Sequence, residues 1–169
     1  SGDLPEPAHV LVPLGSGGTA AGLAVAFARA GLRSRVVGVA VAKPQWLLGL
    51  AARRLAYQVG AQLGGRALGS AAQRHLSMEG SAVGAGYGSA TAAGDAACIV
   101  ARSIPITLDD TYTAKAFACA MAMASPGAHP RGRVSGPVLF WHTLSAARPS
   151  LEDAPEERHL ASPLQRLLR

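Results

Sequence analysis

The feature that most constrains the fold is an apolar run that passes directly into a glycine-rich turn. Residues 10–14 (Val-Leu-Val-Pro-Leu) predict a short buried strand, residues 15–19 (Gly-Ser-Gly-Gly-Thr) predict a turn, and a helix is expected over 20–30. Gly31 then ends the helix. Residues 36–41 form a second continuous apolar run, which is typical of a strand covered by helices on both faces. The sequence therefore predicts a strand–helix–strand unit.

The rest of the chain continues this alternation. Pro44 and Trp46 open a second helix, and Gly64-Gly65 close it. Strands that alternate with helices favour an α/β fold with three layers and a mostly parallel sheet. The elements predicted after the second strand are a helix over 45–63, a strand near 78–83, a helix over 91–103, a short segment at 104–108, a helix over 112–124 and a strand over 138–142.

Composition limits the class of protein. Of the 169 residues, 49% are hydrophobic and 15% are charged, which predicts a single domain with a real core. We expect this domain over 1–146 and a carboxyl-terminal tail over 147–169, with one short amphipathic helix around Leu160 and Leu164. The net charge of +6 comes almost entirely from scattered arginines, without the aromatic-interleaved basic stripe of a nucleic-acid-binding surface. No nucleic-acid partner is expected.

Neither a metal site nor a membrane segment is predicted. Cys98 and Cys119 lie in helix-like stretches, without CxxC spacing or a nearby histidine, so no zinc site or disulfide framework is indicated. The longest apolar stretch, 20–28, is far shorter than the ~20 residues of a membrane span, and no charged-then-apolar leader opens the chain. We therefore expect a soluble, cytoplasmic protein without a metal.

The glycine-rich turn is the clearest candidate site. Backbone N–H groups at a helix amino terminus, with the two hydroxyls, suit a phosphate, although a tight turn that needs positive φ angles explains the same glycines. The turn also fits G-x-G-x-x-A, but Lys43 stands near the place where a dinucleotide site has an acidic residue, which leaves an NADP-binding oxidoreductase domain as an alternative. The candidate phosphate-binding residues are Gly15, Ser16, Gly17, Gly18 and Thr19.

Three further segments, taken with this turn, carry a resemblance to a known family. They are Gly86-Tyr87-Gly88, residues 108–116 (Leu-Asp-Asp-Thr-Tyr-Thr-Ala-Lys-Ala) and residues 139–143 (Leu-Phe-Trp-His-Thr). Their order and spacing resemble the carboxyl-terminal half of the D-cysteine desulfhydrase and 1-aminocyclopropane-1-carboxylate (ACC) deaminase family. The resemblance covers the chain through about Ala146. It implies part of the large domain of a tryptophan synthase β-like fold, with pyridoxal 5′-phosphate as cofactor and a small amino acid as substrate.

The resemblance also implies residue roles. The turn at 15–19 matches the loop that grips the cofactor phosphate, Tyr87 and Tyr112 match tyrosines over the substrate, and Thr113 matches the partner of the pyridine nitrogen, with Thr143 expected near the ring. Without the resemblance, Tyr112 is an ordinary aromatic residue at a helix start, and Thr113 is a capping residue behind Asp110.

Thr113 also distinguishes two reactions within the family. A carboxylate beside the pyridine nitrogen would keep it protonated, whereas a neutral hydroxyl leaves the ring a weaker electron sink. Deaminases that open the cyclopropane ring look like Tyr-Glu at this position, and desulfhydrases look like Tyr-Thr. The pair Tyr112-Thr113 therefore favours a desulfhydrase-like β-elimination by a lyase or deaminase.

Several residues depart from the family pattern. Residues 89–91 (Ser-Ala-Thr) lack the usual proline, Asp110-Thr111 stands where Pro-Val is common, and Leu144-Ser145 replaces a pair of glycines. The family's Schiff-base lysine lies well upstream of the glycine loop, and neither Lys43 nor Lys115 occupies that context. We expect a fragment that is inactive alone and is completed by a missing amino-terminal half or a homodimer. A non-catalytic domain that binds a phosphorylated small molecule remains an alternative.

Overall fold

The computed structural model describes residues 5–125 and 135–145, which form a parallel sheet with helices on both faces. The described sheet has four strands, and all neighbouring strands are parallel. The predicted three-layer α/β class is thereby confirmed. In chain order the elements are β1 (His9–Leu14), α1 (Gly18–Ala30), β2 (Arg35–Ala40), α2 (Gln45–His75), β3 (Leu76–Glu79), α3 (Ala92–Ala101), α4 (Thr113–Ala124) and β4 (Val138–Phe140), and the strand order across the sheet is β3-β2-β1-β4.

The two central strands are apolar after their first residues, His9 and Arg35, because both of their faces are covered. Val12 and Leu14 of β1 lie in a core with α1 and α2. Leu11 of β1 and Val39 of β2 lie in a second core on the opposite face, against α4, and α3 packs on α4. Continuous apolar runs are expected of strands buried in this way.

Helix α2 contains a sharp break that brings its two segments together. Gly64 (φ −164°) and Gly65 (φ 78°) have non-helical backbone angles, so the predicted helix does end near Leu63, but a second helical segment follows over 66–75. A Cβ at Gly60 would lie 2.8 Å from Cα of Gly69, although nine residues separate the two along the chain. The segments therefore fold back on each other at a glycine–glycine contact.

Several elements differ at their ends from the sequence prediction. Helix α1 begins at Gly18, so part of the predicted turn is helical. Strand β3 covers Leu76–Glu79 rather than 78–83, because it pairs with β2 from Leu76 and gives way at Gly80 to turns. Strand β4 ends at Phe140, two residues earlier than predicted. The predicted tail at 147–169 and its helix lie outside the described residues.

No helix in the described ranges combines the length and the apolar character needed to cross a bilayer.

Candidate functional site

The candidate residues follow the carboxyl ends of the strands. The glycine-rich turn follows β1, a loop over 80–88 follows β3, and residues 141–145 follow β4. Because the strands are parallel, these segments lie at one edge of the sheet, which is where open α/β sheets bind ligands. The start of α4 approaches the same edge, as its contact with Gly15 shows.

The turn after β1 presents its backbone at the amino terminus of α1. Gly17 is the residue before the helix, with a left-handed backbone (φ 87°), and its side chain position faces Ala52 of α2. Ser16, Gly18 and Thr19 are exposed, whereas Gly17 is buried. The first turn of α1 contains no acidic residue that would compete for its N–H groups. These features fit the binding of an anion such as phosphate at the helix amino terminus.

Tyr112 covers this turn from the α4 side. A Cβ at Gly15 would lie 3.3 Å from Cε1 of the Tyr112 ring and 3.9 Å from its hydroxyl oxygen. The hydroxyl oxygens of Tyr112 and Tyr87 are 2.8 Å apart, and the two rings meet edge to face with centroids 5.7 Å apart. The hydrogen bond with Tyr87 is the main cause that raises the pKa of Tyr112, with burial and the charge of Asp109 contributing. The Tyr112 phenol is therefore neutral near neutral pH.

Thr113 is fully buried and is part of the cap of α4. Its hydroxyl donates to Oδ2 of Asp109 at 2.6 Å and accepts from the backbone N–H of Asp109 at 2.7 Å. The Asp109 carboxylate also accepts from the backbone N–H groups of Tyr112 and Thr113. Burial raises the pKa of Asp109, but these hydrogen bonds outweigh it, and the net shift is downward. The carboxylate that caps the helix is thus Asp109. The Thr113 hydroxyl does accept a backbone N–H, as the capping interpretation suggests, and that N–H belongs to Asp109.

The two lysines have opposite environments. Lys43 is exposed beyond β2, as expected from its position after a strand. Lys115 has no exposed surface, and its Nζ donates to the carbonyl oxygens of Val83 at 3.1 Å and Gly86 at 2.8 Å. Burial lowers the pKa of Lys115. This burial could not be predicted from the sequence, because a lone lysine in a helix is usually solvated.

Residues 142 and 143 lie at the same edge. Nε2 of His142 is 2.7 Å from the carbonyl oxygen of Thr107, and its ring meets that of Phe140 at 5.7 Å. His142 is exposed, so it is hydrogen-bonded without being a core residue. Thr143 is exposed in the segment after β4. Within the described parts of the chain, no group of three His, Cys, Asp or Glu side chains is placed to hold a metal ion.

The structure therefore brings together part of the predicted set. The turn at 15–19, Tyr112 and Tyr87 form one contiguous surface, and Thr113 adjoins Tyr112 beneath it. Sequence reasoning missed the capping role of Asp109 and the contacts of Lys115 with the 80–88 loop. The signal for Asp109 was its position three residues before Tyr112, which is the spacing of a helix amino-terminal cap.

No family model matches the chain, but comparison with known proteins finds similarity first in sequence and second in structure. The chain is 35% identical over 143 residues to nocardicin C-9′ epimerase of Nocardia uniformis subsp. tsuyamanensis, which covers 84% of this chain and 41% of the epimerase. Its structure is similar to that of an ACC deaminase homologue, with a TM-score of 0.62 and 20% identity over 83% of this chain and 40% of that chain. The chain thus spans about two fifths of the length of each protein. The second similarity shows that the fold is the α/β fold of that homologue.

Proposed function

We propose that this chain is the cofactor-binding part of a pyridoxal-phosphate-dependent enzyme that acts on a small amino acid. The observation that carries the proposal is the contact between the start of α4 and the phosphate-type turn, where the Tyr112 ring lies 3.3 Å from the Cβ position of Gly15. The likeness to an ACC deaminase homologue and to nocardicin C-9′ epimerase supports the same class.

The residues present fit such a cofactor. The exposed residues Gly18 and Thr19 begin α1, where N–H groups and the helix dipole favour a phosphate. Glycine at position 15 leaves room beside the Tyr112 ring that a side chain would occupy. Thr113 stands next to Tyr112, in the place that the family resemblance gives to the partner of the pyridine nitrogen. When bound, the cofactor supplies an electron sink for negative charge at the substrate Cα.

The chain's own residues would bind the cofactor phosphate and close the site over the substrate. The turn at 15–19 would anchor the phosphate, and the Tyr87–Tyr112 pair would close the site over the substrate. Tyr112 holds its proton near neutral pH, as an ordinary phenol does, and the upward shift of its pKa strengthens this. It can therefore donate a hydrogen bond to a carboxylate or a leaving group. Neither lysine suits attachment to the cofactor, since Lys115 is held by two carbonyls and Lys43 is exposed. We propose that the chain alone does not turn over substrate.

Two reactions compete for the complete enzyme. The pair Tyr112-Thr113 favours a D-cysteine desulfhydrase-like β-elimination, whereas the 35% identity to nocardicin C-9′ epimerase favours an epimerisation. Both begin with removal of a proton from the substrate, and they differ in whether a β-substituent then leaves. We place elimination first because the tyrosine–threonine pair adjoins the candidate cofactor turn.

Cofactor binding is tested by titrating the chain with pyridoxal phosphate and following its absorbance and the tryptophan fluorescence. Saturable binding that inorganic phosphate displaces is expected, and Gly17→Ala should weaken it. Binding of inorganic phosphate without pyridoxal phosphate would support the non-catalytic alternative, and preferential binding of NADP would support the oxidoreductase.

The reaction is tested in a chimaera that joins this chain to the part of the epimerase that it does not match. Faster release of sulfide from D-cysteine than opening of ACC is expected, without net inversion of the remaining substrate. Inversion at Cα without release of sulfide or ammonia would favour the epimerase reaction. Faster opening of ACC would contradict the inference from Tyr112-Thr113.

A further inference from the structure

Lys115 is the largest fully buried side chain among the described residues, and its amine contacts a loop rather than the core. Its Nζ donates to the carbonyl oxygens of Val83 and Gly86, at 3.1 and 2.8 Å. Both carbonyls belong to the 80–88 loop that carries Tyr87. Removing an ammonium group from water is costly unless it is hydrogen-bonded, and an apolar side chain of similar volume could fill the same space. The amine therefore contributes hydrogen bonds to the loop, which an apolar side chain could not supply.

The 80–88 loop has little regular structure of its own. It has no helix or strand, and Gly84, Gly86 and Gly88 have positive φ angles of 61°, 140° and 74°. Gln45 holds its start through a 3.2 Å hydrogen bond from Nε2 to the carbonyl oxygen of Gly80. The two bonds from Lys115 fix its middle. A loop rich in such glycines has many alternative conformations, so each fixed point matters for where Tyr87 lies.

Tyr87 is largely exposed, so its position depends on the loop that carries it. Its side chain is 63% exposed, and it meets the rest of the described structure through the hydroxyl and ring of Tyr112. Tyr112 and Lys115 are three residues apart at the start of α4, a spacing that places side chains on the same side of a helix. Tyr112 and Lys115 thus lie on the same side of the helix, and the Lys115 amine binds the loop that carries Tyr87.

We propose that Lys115 is a positioning residue that fixes the 80–88 loop on α4 and so places the Tyr87 hydroxyl against that of Tyr112. The statement that the pair faces a substrate rests on the proposed function, whereas the positioning itself does not. Lys115 acts through the loop and has no direct role toward a substrate.

The test compares Lys115→Met with the wild-type chain, both in a Tyr57→Phe background. The chain has three tyrosines, so only Tyr87 and Tyr112 then ionise. Phenol ionisation is followed by ultraviolet absorbance, with Tyr87→Phe as the reference for Tyr112 without its partner. Amide hydrogen exchange of residues 80–88 is measured in parallel. Lys43→Met, which removes an exposed lysine, is the matched control, and no cofactor is present.

We expect Lys115→Met to fold, to shift the Tyr112 titration down to that of the Tyr87→Phe reference, and to raise amide exchange in the loop by roughly tenfold or more. Lys115→Arg, which keeps N–H donors, should restore part of the protection, and Lys43→Met should change neither quantity. An unchanged titration and unchanged exchange in a folded Lys115→Met would overturn the proposal. Failure of that variant to fold would also overturn it, because contacts confined to the loop should leave the sheet intact.

The same experiment separates the two proposals. If the wild-type chain fails to bind pyridoxal phosphate while Lys115→Met releases the loop, the proposed function is wrong and the positioning role stands. If the cofactor binds but Lys115→Met leaves the loop unchanged, the positioning role is wrong and the proposed function stands.

Discussion

Replacing Gly17 with alanine is the sharpest test of the proposed phosphate site in the glycine-rich turn, and its cost in stability follows from the geometry. Gly17 has φ of 87°, where an L-residue costs roughly 1–2 kcal/mol. A methyl group there would lie 2.9 Å from Cβ and 3.1 Å from Cα of Ala52. Ala52 is fully buried in α2, so the contact is relieved only by moving the turn or the helix, and such overpacking costs about 1–3 kcal/mol.

Together these effects predict a loss of roughly 2–5 kcal/mol in the free energy of unfolding. For a domain of this size the loss lowers Tm by about 4–20 °C. The N–H groups of Gly18 and Thr19 follow Gly17 directly, so a displaced turn misaligns them. Each hydrogen bond to a charged group contributes about 1.5–3 kcal/mol, so losing one should weaken pyridoxal phosphate binding roughly 10- to 150-fold.

Thermal and urea unfolding followed by circular dichroism give the stability, and tryptophan fluorescence gives the affinity. Gly22→Ala is the matched control, because Gly22 is exposed in α1 and no atom lies within 4 Å of its Cβ position. That change should stabilise the helix by about 0.5–1 kcal/mol and leave the affinity unchanged. A Gly17→Ala variant with wild-type stability and wild-type affinity would refute both the steric argument and the site.

Two further predictions concern Asp109 and the lysines. Asp109→Asn should destabilise the chain by about 0.5–2 kcal/mol near neutral pH, unlike the exposed neighbour control Asp110→Asn. Because the folded pKa of Asp109 is lowered, its contribution is present above the unfolded value of about 3.9 and is lost as the pH falls through the folded value. The free energy of unfolding, measured with urea, should therefore fall more for the wild-type chain than for Asp109→Asn between about pH 5 and about pH 2. Equal losses in the two proteins would contradict the capping role. Borohydride reduction with pyridoxal phosphate, followed by peptide mass spectrometry, should label exposed Lys43 sparsely and leave buried Lys115 unlabelled. Stoichiometric labelling of either lysine together with lyase turnover would show that the chain carries its own attachment site.

The central part of the fold could be predicted because its signals are local. The apolar run that became β1 ends at Gly15, the run that became β2 ends before Lys43-Pro44, and the Gly64-Gly65 pair marks the break in α2. The segment 66–75 (Arg-Ala-Leu-Gly-Ser-Ala-Ala-Gln-Arg-His) has no strong apolar period. It is held as a helix by a contact that the sequence does not show, the close approach of Gly69 to Gly60. Tertiary packing of this kind overrides weak propensity.

The candidate site also has one part that consecutive residues predict and another that depends on tertiary contacts. The turn after β1 could be predicted from consecutive residues. Tyr112, which only the resemblance singles out, contacts it. Lys115 could not, because its burial depends on a loop about thirty residues earlier in the chain that folds over α4. The choice between Asp109 and Asp110 as the cap also depends on three-dimensional geometry, since the two are adjacent and chemically identical.

The Asp109–Thr113 pair changes how the electronic argument for Thr113 should be made. A hydroxyl has one proton, and here that proton is donated to the Asp109 carboxylate over 2.6 Å. If Thr113 faces the pyridine nitrogen, it offers that nitrogen a lone pair, and it can act as a donor only by giving up its bond to Asp109. A lone pair with a carboxylate one hydrogen bond behind it favours a protonated ring nitrogen more than an isolated hydroxyl does. In that case the neutral threonine would connect the ring to the negative charge of Asp109. The difference from a glutamate would then be one of degree, because the charge would lie one side chain further from the ring.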